Sequence, residues 1–447
     1  MKKGTASLIA LALLTLFPVC GHAGGFVVPD DDLPTARVGD WKVAFTRNGA
    51  LVAGRDDEWL MDVGIYYAMP GYNEWGTQVR RSAHSDRWQK HKDVLVFNGT
   101  LHDIDRNHRF TFRQQTELVP HGLRLSYEVT PLQKRKLQEF GLVLHLPVIG
   151  SRGARAEFWP GFQSVILPDK HRRGVLLRNT AQGATVHLPG GRSAALALHQ
   201  PVNWRSLDDR HWELNTYRLL ALDPAAARSL SKGEKVTFSF DLLLGQGAGQ
   251  TVAVDNSEVH LDPYGRLALR GAENDKRIEG GLWKGRWLFG ESVPFAVGEE
   301  KEHEGKVEGR WRRGTTVGRY SAQLETEGEL CRVIYRLVRE EGDWPPENVR
   351  LAFSVPHGQV ASLEVEEAGE PTETSESAPE RSHAKLVLKT GETWTLSSPA
   401  DWTVAQQKIA RTNCRLLSVA PASTGDGALT WEVEISRSDL GTKEGTE

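Results

Sequence analysis

Apolar and polar residues alternate along short segments through most of the chain. Clear examples are residues 108–113, 123–129, 142–146 and 236–242. Alternation with a period of two places one face of a strand against a core and the other face in solvent, which is typical of antiparallel sheets. Turn-forming residues such as Gly, Pro, Asn and Asp separate these segments. The pattern predicts an all-β protein built from antiparallel β-sandwiches.

The second half of the chain continues the pattern, and helices contribute little to it. Further predicted strands fall within residues 259–269, 307–311, 321–325, 331–338 and 349–355. Only two short segments are candidates for helices, residues 133–139 and 224–230.

The two halves also repeat each other. Residues 123–127 resemble residues 331–335, residues 142–147 resemble 351–356, and residues 186–204 resemble 386–402. The matched positions include these pairs: Gly191 and Gly391, Pro201 and Pro399, Trp204 and Trp402, and Arg218 and Arg415. A repeat of this length is the size of a domain and too long for a solenoid unit. We therefore predict two tandem related β-sandwich domains that arose by internal duplication.

The repeat and the local composition set the predicted boundaries. The first domain covers residues 24–245, a glycine-rich linker covers 246–254, and the second domain covers 255–438. Residues 364–383 are acidic and rich in Pro, Ser and Thr, so we expect a disordered insertion in the second domain. Residues 439–447 are expected to form a flexible tail. The glycines near residue 245 are not followed by a helix, so they do not predict a nucleotide site, and no cofactor is expected.

The N-terminus has the features of a secretory signal peptide. Lys2 and Lys3 precede an apolar segment, and the small residues Gly21 and Ala23 precede the cleavage point before Gly24. The apolar segment is too short to span a membrane, and no later segment is apolar enough. We expect cleavage near Ala23 and export to the periplasm or the extracellular space, with no membrane span.

Charge and cysteine content narrow the function classes. The formal net charge of −3 gives no basic surface for nucleic acid, so a nucleic-acid partner is not expected. Without the signal peptide, the cysteines are Cys331 and Cys414. In an exported protein they could form one disulfide or remain two buried thiols. Leu123 and Tyr217 occupy the matching places in the first domain, so the fold does not require a disulfide.

Features present in only one domain are the strongest candidates for function, because the fold does not require them. The segment 56–91 mixes aromatic side chains with carboxylates, arginines and histidine, unlike its counterpart near residues 277–303. An aromatic face can stack on a sugar ring while the polar groups pair with its hydroxyls. The alternative is a long loop that its own aromatic residues pin over one end of a sandwich. The candidate ligand-binding residues in this segment are Trp59, Tyr72, Trp75, His84 and Trp88.

Two further candidates lie later in the first domain. Asp208, Asp209 and Arg210 stand opposite Gln406, Gln407 and Lys408 of the second domain, so the fold does not require the charged cluster, which could bind hydroxyls or take part in acid–base chemistry. Adjacent strand residues point to opposite faces, so a capped turn with an Asp–Arg pair is the alternative. Trp159 precedes Pro160 and Gly161, which would place its ring at a loop tip within reach of a ligand, and packing against the neighbouring domain is the alternative.

The sequence does not predict a metal site. Asp103, Asp105 and Asn107 resemble the start of a calcium loop, but the expected glycine and closing carboxylate are missing, so a polar turn is favoured. The histidines do not have the spacing of zinc ligands. The chain also lacks the Gly-x-Ser-x-Gly motif of α/β-hydrolases.

A family resemblance rests on the segment from Asp208 to Tyr217. Asp208, Asp209, Arg210 and Trp212, followed by Tyr217 and a closing strand, resemble large β-sandwich domains of exported bacterial polysaccharide-active proteins. The broader class is the galactose-mutarotase-like or supersandwich type. The resemblance implies a carbohydrate ligand that is either bound or cleaved. Enzymes of the mutarotase type use a His and a Glu, and no motif of this chain maps such a pair.

Three hypotheses follow. The first is an exported protein that binds a glycan or polysaccharide, with the site in the first domain. The second is a polysaccharide hydrolase or lyase, which would use a carboxylate pair, or a His or Tyr base with an Arg that neutralises a uronate, in the same region. The third is a structural interaction module of the cell envelope.

Overall fold

The computed structural model describes most of the chain as two compact units that divide after Gly245. The described residues are 33–55, 58–79, 83–103, 107–119, 122–159, 163–224, 228–245, 250–254, 257–262, 265–271, 277–284, 287–288, 291–293, 304–313, 316–327, 329–341, 349–366, 381–409, 412–423 and 428–439. The predicted signal peptide lies outside them.

The first unit consists almost entirely of antiparallel strands. Its short helices are α1 (Val148–Ser151) and the 3₁₀ turns Pro70–Tyr72 and Asp209–Trp212. Its strands are β1 (Thr35–Val38), β2 (Trp41–Phe45), β3 (Leu51–Arg55), β4 (Glu58–Ala68), β5 (Trp75–Thr77), β6 (Ala83–His91), β7 (Val94–His102), β8 (His108–Val119), β9 (Gly122–Pro131), β10 (Arg135–Lys136), β11 (Glu139–Pro147), β12 (Arg155–Trp159), β13 (Gln163–Ile166), β14 (Val175–Leu188), β15 (Arg192–Asp208), β16 (Thr216–Leu222), β17 (Ser229–Leu230) and β18 (Val236–Leu244).

The second unit has the same character. It contains one described 3₁₀ turn, His357–Gln359. Its strands are β19 (Gln250–Val254), β20 (Ser257–Leu261), β21 (Leu267–Arg270), β22 (Arg277–Lys284), β23 (Trp287–Leu288), β24 (Glu291–Val293), β25 (Glu304–Arg313), β26 (Thr316–Glu327), β27 (Leu330–Glu341), β28 (Arg350–Pro356), β29 (Val360–Glu366), β30 (Ser382–Leu388), β31 (Glu392–Ser398), β32 (Trp402–Ile409), β33 (Thr412–Val419), β34 (Ala422–Ser423) and β35 (Leu429–Asp439). The prediction of an all-β, antiparallel fold is confirmed.

Two layers of strands enclose the core of the first unit. The front layer runs β1-β2-β3-β4-β11-β16 and ends on the second half of β15. The back layer runs β12-β14-β15-β18-β9-β8-β7-β6 and uses the first half of β15. Strand β15 is long enough, at 17 residues, to belong to both layers. The core between the layers contains residues of both, among them Val63 and Leu144 of the front layer and Phe97 and Phe240 of the back layer.

The second unit repeats this strand order. One of its sheets runs β19-β20-β21-β22-β28-β33-β32, which matches the front layer strand for strand. The other runs β24-β25-β26-β27-β35-β31-β30-β29, which matches the back layer read from β6 to β12. This order is what two copies of one domain would have, and their origin by duplication stays a prediction.

The paired aromatic residues of the repeat lie in the two cores. Trp204 is 2% exposed and its Nε1 donates to the carbonyl oxygen of Ala181 at 3.2 Å. Trp402 is similarly buried and donates to the carbonyl oxygen of Ser382 at 3.3 Å. Each indole thus fills space and fixes a neighbouring strand through a hydrogen bond.

The structure corrects several local predictions. Gln250–Val254, expected in the linker, is strand β19 because the alternate residues Val252 and Val254 pack in the core of the second unit. Residues 364–366 and 382–383, expected to belong to a disordered insertion, instead form the end of β29 and the start of β30, and residues 367–380 lie outside the described part of the chain. The helix candidates 133–139 and 224–230 instead supply β10 and β17, which pair with each other.

Two further points concern the cysteines and the membrane. Cys331 and Cys414 are both buried and are not joined in a disulfide, which decides between the alternatives left open by the sequence. No helix within the described parts of the chain is long and apolar enough to cross a membrane.

Candidate functional site

Charged side chains gather on the outer face of the front layer in the first unit. On β4, β11 and β16 the register aligns Asp62 with His145, and His145 with Arg218. The alternate residues Val63, Leu144 and Leu219 point the other way, into the core. We use the name charged face for Asp62, Tyr66, Tyr72, Glu139, His145, Arg205, Asp209, Trp212 and Arg218.

A carboxylate–imidazole pair lies on this face. Nδ1 of His145 is 2.7 Å from Oδ1 of Asp62, and both side chains are less than a tenth exposed. A carboxylate at this distance fixes the orientation of the ring and favours the tautomer that carries the proton on Nδ1. His145 is therefore held in one orientation, as a group that exchanges protons requires.

Arg218 lies on the strand next to that of His145, and an ion pair with Asp209 holds its side chain in place. Its Nε and Nη2 donate to Oδ1 of the buried Asp209 at 3.1 and 2.8 Å. Its guanidinium also lies 5.4 Å from the ring centroid of Trp212. Trp212 is 50% exposed, so an apolar ring surface borders an arginine whose position is already set.

A second cluster surrounds Glu139, which is 6% exposed. The hydroxyl of Tyr72 donates to Oε1 of Glu139 at 2.6 Å, and the hydroxyl of Tyr66 donates to Oε2 at 3.3 Å. Arg205 forms an ion pair with the same carboxylate and donates from Nη1 to the Tyr72 hydroxyl at 3.2 Å. Tyr72 is 42% exposed and has a positive φ of 56° in the turn between β4 and β5. An unusual backbone conformation thus places an aromatic ring at the rim of the face.

Burial and the neighbouring charges change the pKa values of Tyr66 and Arg205 in this cluster. Burial, reinforced by the nearby Glu139 carboxylate, raises the pKa of the Tyr66 hydroxyl well above its ordinary value. Burial alone would lower the pKa of Arg205, but the hydrogen bond to Tyr72 and the Glu139 charge outweigh it and raise that pKa. Tyr66 therefore stays a neutral donor and Arg205 stays a cation at physiological pH.

An apolar patch continues the charged face. Tyr66, Val143, Leu207, Leu220 and Leu222 form a buried cluster separate from the main core, and Trp75 packs against it. The face therefore offers carboxylates, guanidinium groups and one imidazole beside aromatic and aliphatic carbon.

The second unit lacks this set of charges. Trp204 pairs with Ala221 and Trp402 pairs with Val419, which aligns the two units. In this frame Ser354 and Leu416 stand where the first unit has His145 and Arg218. Thr403 stands in the place of Arg205, and Glu279, paired with Ser354, stands in the place of Asp62.

This structural alignment of the two units corrects one match that was made from the sequence repeat. Sequence aligns Arg218 with Arg415, but Arg218 pairs with His145 whereas Arg415 pairs with Val355. The structural match is displaced by one residue, and along a strand one residue reverses the face. Arg415 is therefore not a second copy of Arg218.

The structure brings together some of the candidate residues chosen from sequence. Tyr72 and Asp209 belong to the charged face, and Trp75 packs against its apolar patch. An irregularity in the pairing of β3 with β4 places Trp59 opposite Gly54 and Asp62 opposite Val52, so Trp59 lies on the same face of the layer as Asp62. The side chain of His84 lies outside the described part of the structure.

Other candidates are held elsewhere by structural contacts. Trp159 is 3% exposed on β12 rather than at a loop tip, and its Nε1 donates to Oγ1 of Thr185 at 3.2 Å. The Trp159 ring therefore has no open face for stacking on a ligand. Trp88 is partly buried against the main core.

Asp208 and Arg210 form a capped turn apart from the charged face. Asp208 is buried and accepts hydrogen bonds from the backbone N–H groups of Arg172 and Arg210, and from the Arg210 side chain. Burial alone would raise the pKa of Asp208, but these hydrogen bonds outweigh it and lower that pKa. The Arg210 guanidinium also donates to the carbonyl oxygens of Pro168 and Asp169. The adjacent carboxylates thus point to opposite sides, as strand alternation requires: Asp208 pairs with Arg210 and Asp209 pairs with Arg218.

Sequence reasoning missed most of the charged face, namely Asp62, Tyr66, Glu139, His145, Arg205 and Arg218. A usable signal did exist. Asp62 lies between Met61 and Val63, and His145 between Leu144 and Leu146, so each is one charged or titratable residue within an apolar strand. Such a residue is costly to bury without a partner, so a partner on a neighbouring strand could have been anticipated.

The proposed polar turn at Asp103 has its own partners. Its carboxylate accepts from the backbone and side chain of Asn107 and from Nε of Arg109. Within the described residues no group of His, Cys, Asp and Glu could hold a metal ion.

Several solved structures are similar to this chain. One is a putative aldose 1-epimerase from Escherichia coli K12, with 13% identity over 47% of this chain and 98% of that chain, at a TM-score of 0.35. Another is a galactose mutarotase-like protein from Lactobacillus casei ATCC 334, with 13% identity over 47% of this chain and 99% of that chain, at a TM-score of 0.33. A xanthan lyase from Paenibacillus is 8% identical over 94% of this chain and 52% of that chain, at a TM-score of 0.27.

These neighbours have names connected with sugars, in agreement with the resemblance drawn from the sequence. At such TM-scores and identities the likeness carries no argument about activity or ligand. No family model matches the sequence, and no curated protein matches it.

Proposed function

We propose that this is an exported protein whose first unit binds a glycan on the charged face. One observation carries the proposal. Charged side chains and exposed aromatic rings occur together on one sheet face of the first unit, and the same sheet of the second unit has Ser354, Leu416 and Thr403 in their places. Since the second unit folds without them, the charges are not a requirement of the fold.

The chemistry of the face suits a sugar. Trp212 and Tyr72 expose ring surface on which the C–H face of a sugar can stack. Arg205 and Arg218 donate hydrogen bonds, while the carboxylates of Glu139 and Asp209 hold each guanidinium in place. Groups fixed in advance lose little conformational entropy when a ligand binds, which favours affinity. Export supplies the setting in which a polysaccharide would be met.

A glycan array followed by titration calorimetry tests this function. Arg205→Ala and Trp212→Ala should each weaken binding of the best array ligand by at least about tenfold, the effect of losing a charged hydrogen bond or a stacking surface. Thr403→Ala is the matched control, because Thr403 occupies the place of Arg205 in the second unit. Binding that is unchanged in both first-unit variants would contradict the proposal. An array without any ligand would favour a structural module of the cell envelope.

A second candidate function is cleavage of a polysaccharide by the same face. The geometry that favours it is His145 held by Asp62, with Arg218 on the adjacent strand. In a lyase, a base removes a proton beside a carboxylate while a cation stabilises the developing charge. His145 could serve as the base and Arg218 as the cation.

Incubation with uronate-containing and neutral polysaccharides distinguishes cleavage from binding. Turnover would appear as new reducing ends, and a lyase would in addition create an unsaturated product that absorbs in the ultraviolet. His145→Gln should abolish product formation while glycan binding changes by less than about threefold, since a glutamine can still hydrogen bond. Product formation that survives this variant would exclude His145 as the base.

A further inference from the structure

The second unit has a groove where its two sheets end side by side. Its volume is about 460 Å³, and it is lined by Leu363, Val365, Val404, Ala405, Gln406 and Arg415. The first two residues lie on β29 and the next three on β32. Within the described strands, β29 and β32 are the outermost strands of their sheets. The groove thus lies between two sheet edges.

The first unit shows what occupies the equivalent place. There, residues 175–181 of β14 pair antiparallel with residues 202–207 of β15. Leu177 lies opposite Ser206 and packs against the core, and Ser206 is completely buried. An additional half-strand thus closes that edge.

The edge of the second unit has the apolar surface that such a strand would cover. Val404 stands in the place of Ser206, two residues after the shared tryptophan, and is 48% exposed. Leu363 and Val365 face the same groove from β29. An exposed edge strand with apolar side chains is a template for pairing with another strand.

We propose that this groove takes an extended segment of another polypeptide, which adds to β32 as an antiparallel strand. Apolar side chains at alternate positions of the segment would fill the groove, as Leu177 does in the first unit. The groove also selects for charge, because Arg415 lines it and none of its described lining residues is acidic. The segment should therefore carry an acidic residue that pairs with Arg415.

The chain's own acidic insertion is a poor occupant by composition. Residues 367–380 contain no Val, Leu, Ile, Phe, Tyr, Trp or Met, and they include Pro371 and Pro379. Such a segment has nothing to bury in an apolar groove, and proline interrupts strand pairing. A segment from another chain therefore fits the groove better.

Fluorescence anisotropy with labelled peptides tests the proposal on the full chain. The first probe has the sequence of residues 174–182, which contains the half-strand that closes the edge in the first unit. The second probe carries the change Leu176→Glu, because Leu176 packs on the core side of the edge beside Leu177, which is the side that Arg415 occupies in the second unit. We expect both peptides to bind, and the acidic peptide to bind more tightly.

Variants of the protein assign the binding to the groove. Val404→Glu should weaken both peptides at least about tenfold, because it puts a charge where an apolar contact would form. Arg415→Gln should remove the advantage of the acidic peptide and leave the other peptide unaffected. Ala361→Glu, an exposed position of β29 outside the lining residues, is the matched control and should change neither affinity. Thermal melts of each variant establish that the fold is retained.

Three outcomes would overturn the proposal. In the first, neither peptide binds. In the second, Val404→Glu binds as well as the wild type. In the third, peptides bind only after residues 367–380 are replaced by a Gly-Ser linker of equal length, which would mean that the chain's own insertion fills the groove.

Discussion

Three carboxylates of the charged face each hold one basic side chain. Asp62 holds His145, Asp209 holds Arg218, and Glu139 holds Arg205. All three carboxylates are nearly or fully buried, while both arginines are more exposed than their partners. Burying a charge is costly unless it is paired, so each pair is an arrangement that loses stability when one partner is removed. The two arginines are thereby held in fixed positions with part of each side chain exposed, whereas His145 is buried together with its partner.

Replacing Glu139 tests this view of the pairs. Glu139→Gln leaves Arg205 without its counter-charge and replaces one of the two oxygens that accept the tyrosine hydroxyls with an NH2 donor, so the free energy of unfolding should fall by about 1–3 kcal/mol. Urea unfolding followed by tryptophan fluorescence measures this change. The control is Glu117→Gln on exposed β8 surface, where we expect a change within about 0.5 kcal/mol. Equal stability of the two variants would mean that the Glu139 cluster does not contribute to folding.

The pH dependence of stability should report on Asp208. Its folded-state pKa is lowered, because hydrogen bonds from Arg210 and the backbone outweigh the effect of burial. A carboxyl group with a depressed folded pKa stabilises the fold above its unfolded pKa of about 3.9 and loses that contribution as the pH falls further. Asp208→Asn should therefore be less stable than the wild type at pH 7, and the difference should shrink below about pH 4. Urea midpoints measured across this range give the comparison, and a difference that is independent of pH would contradict it.

At the scale of elements, the charged face depends on close contact between β11 and β16. Gly141 lies on β11 between Glu139 and Val143, and a Cβ atom at this position would lie 2.0 Å from the carbonyl oxygen of Ala221. No real side chain tolerates that distance, so the strands would have to separate.

Gly141→Ala should therefore destabilise the first unit by about 1–3 kcal/mol, the usual cost of overpacking a well-packed site. It should also weaken glycan binding, because the residues that bind lie on the displaced strands. The control is Gly358→Ala, where an added Cβ meets no atom within 4 Å. Differential scanning calorimetry measures the change. A Gly141→Ala protein as stable as the control would show that β11 and β16 adjust to each other more freely than we infer.

Strand type and most strand positions could be predicted from the period-two pattern, since alternation records directly which face is buried. The exceptions are informative. Segments 133–139 and 250–254 are too short for their own pattern to outweigh composition, and pairing partners distant in sequence decide their conformation. For the site, Tyr72 and Asp209 could be found as charged or aromatic residues specific to one domain. His145 and Arg218 could not, because their proximity depends on the register of two strands separated by more than 60 residues.

At the scale of the whole molecule, the two units share one strand order and differ in what that order carries. The first unit has charges on its front layer and a closed edge at β14, whereas the second has uncharged residues at most of those places and a groove at β32. If both arose from one domain, each copy kept the framework and changed a different surface. The proposed functions follow this division, with glycan binding in one unit and strand addition in the other.

The proposed export of the chain leads to a final prediction about its cysteines. The mature chain should begin at Gly24, and Cys331 and Cys414 should remain thiols that are not joined in a disulfide, even in an oxidising compartment. Burial raises the pKa of the Cys331 thiol to about 12, so its reactive thiolate form is scarce at neutral pH. Intact mass spectrometry of secreted protein should give a mass without the signal peptide. Iodoacetamide should modify both cysteines in urea and neither in the native state within the same time. Rapid modification of the native protein, or a mass that indicates a disulfide, would show that these thiols are accessible during or after export.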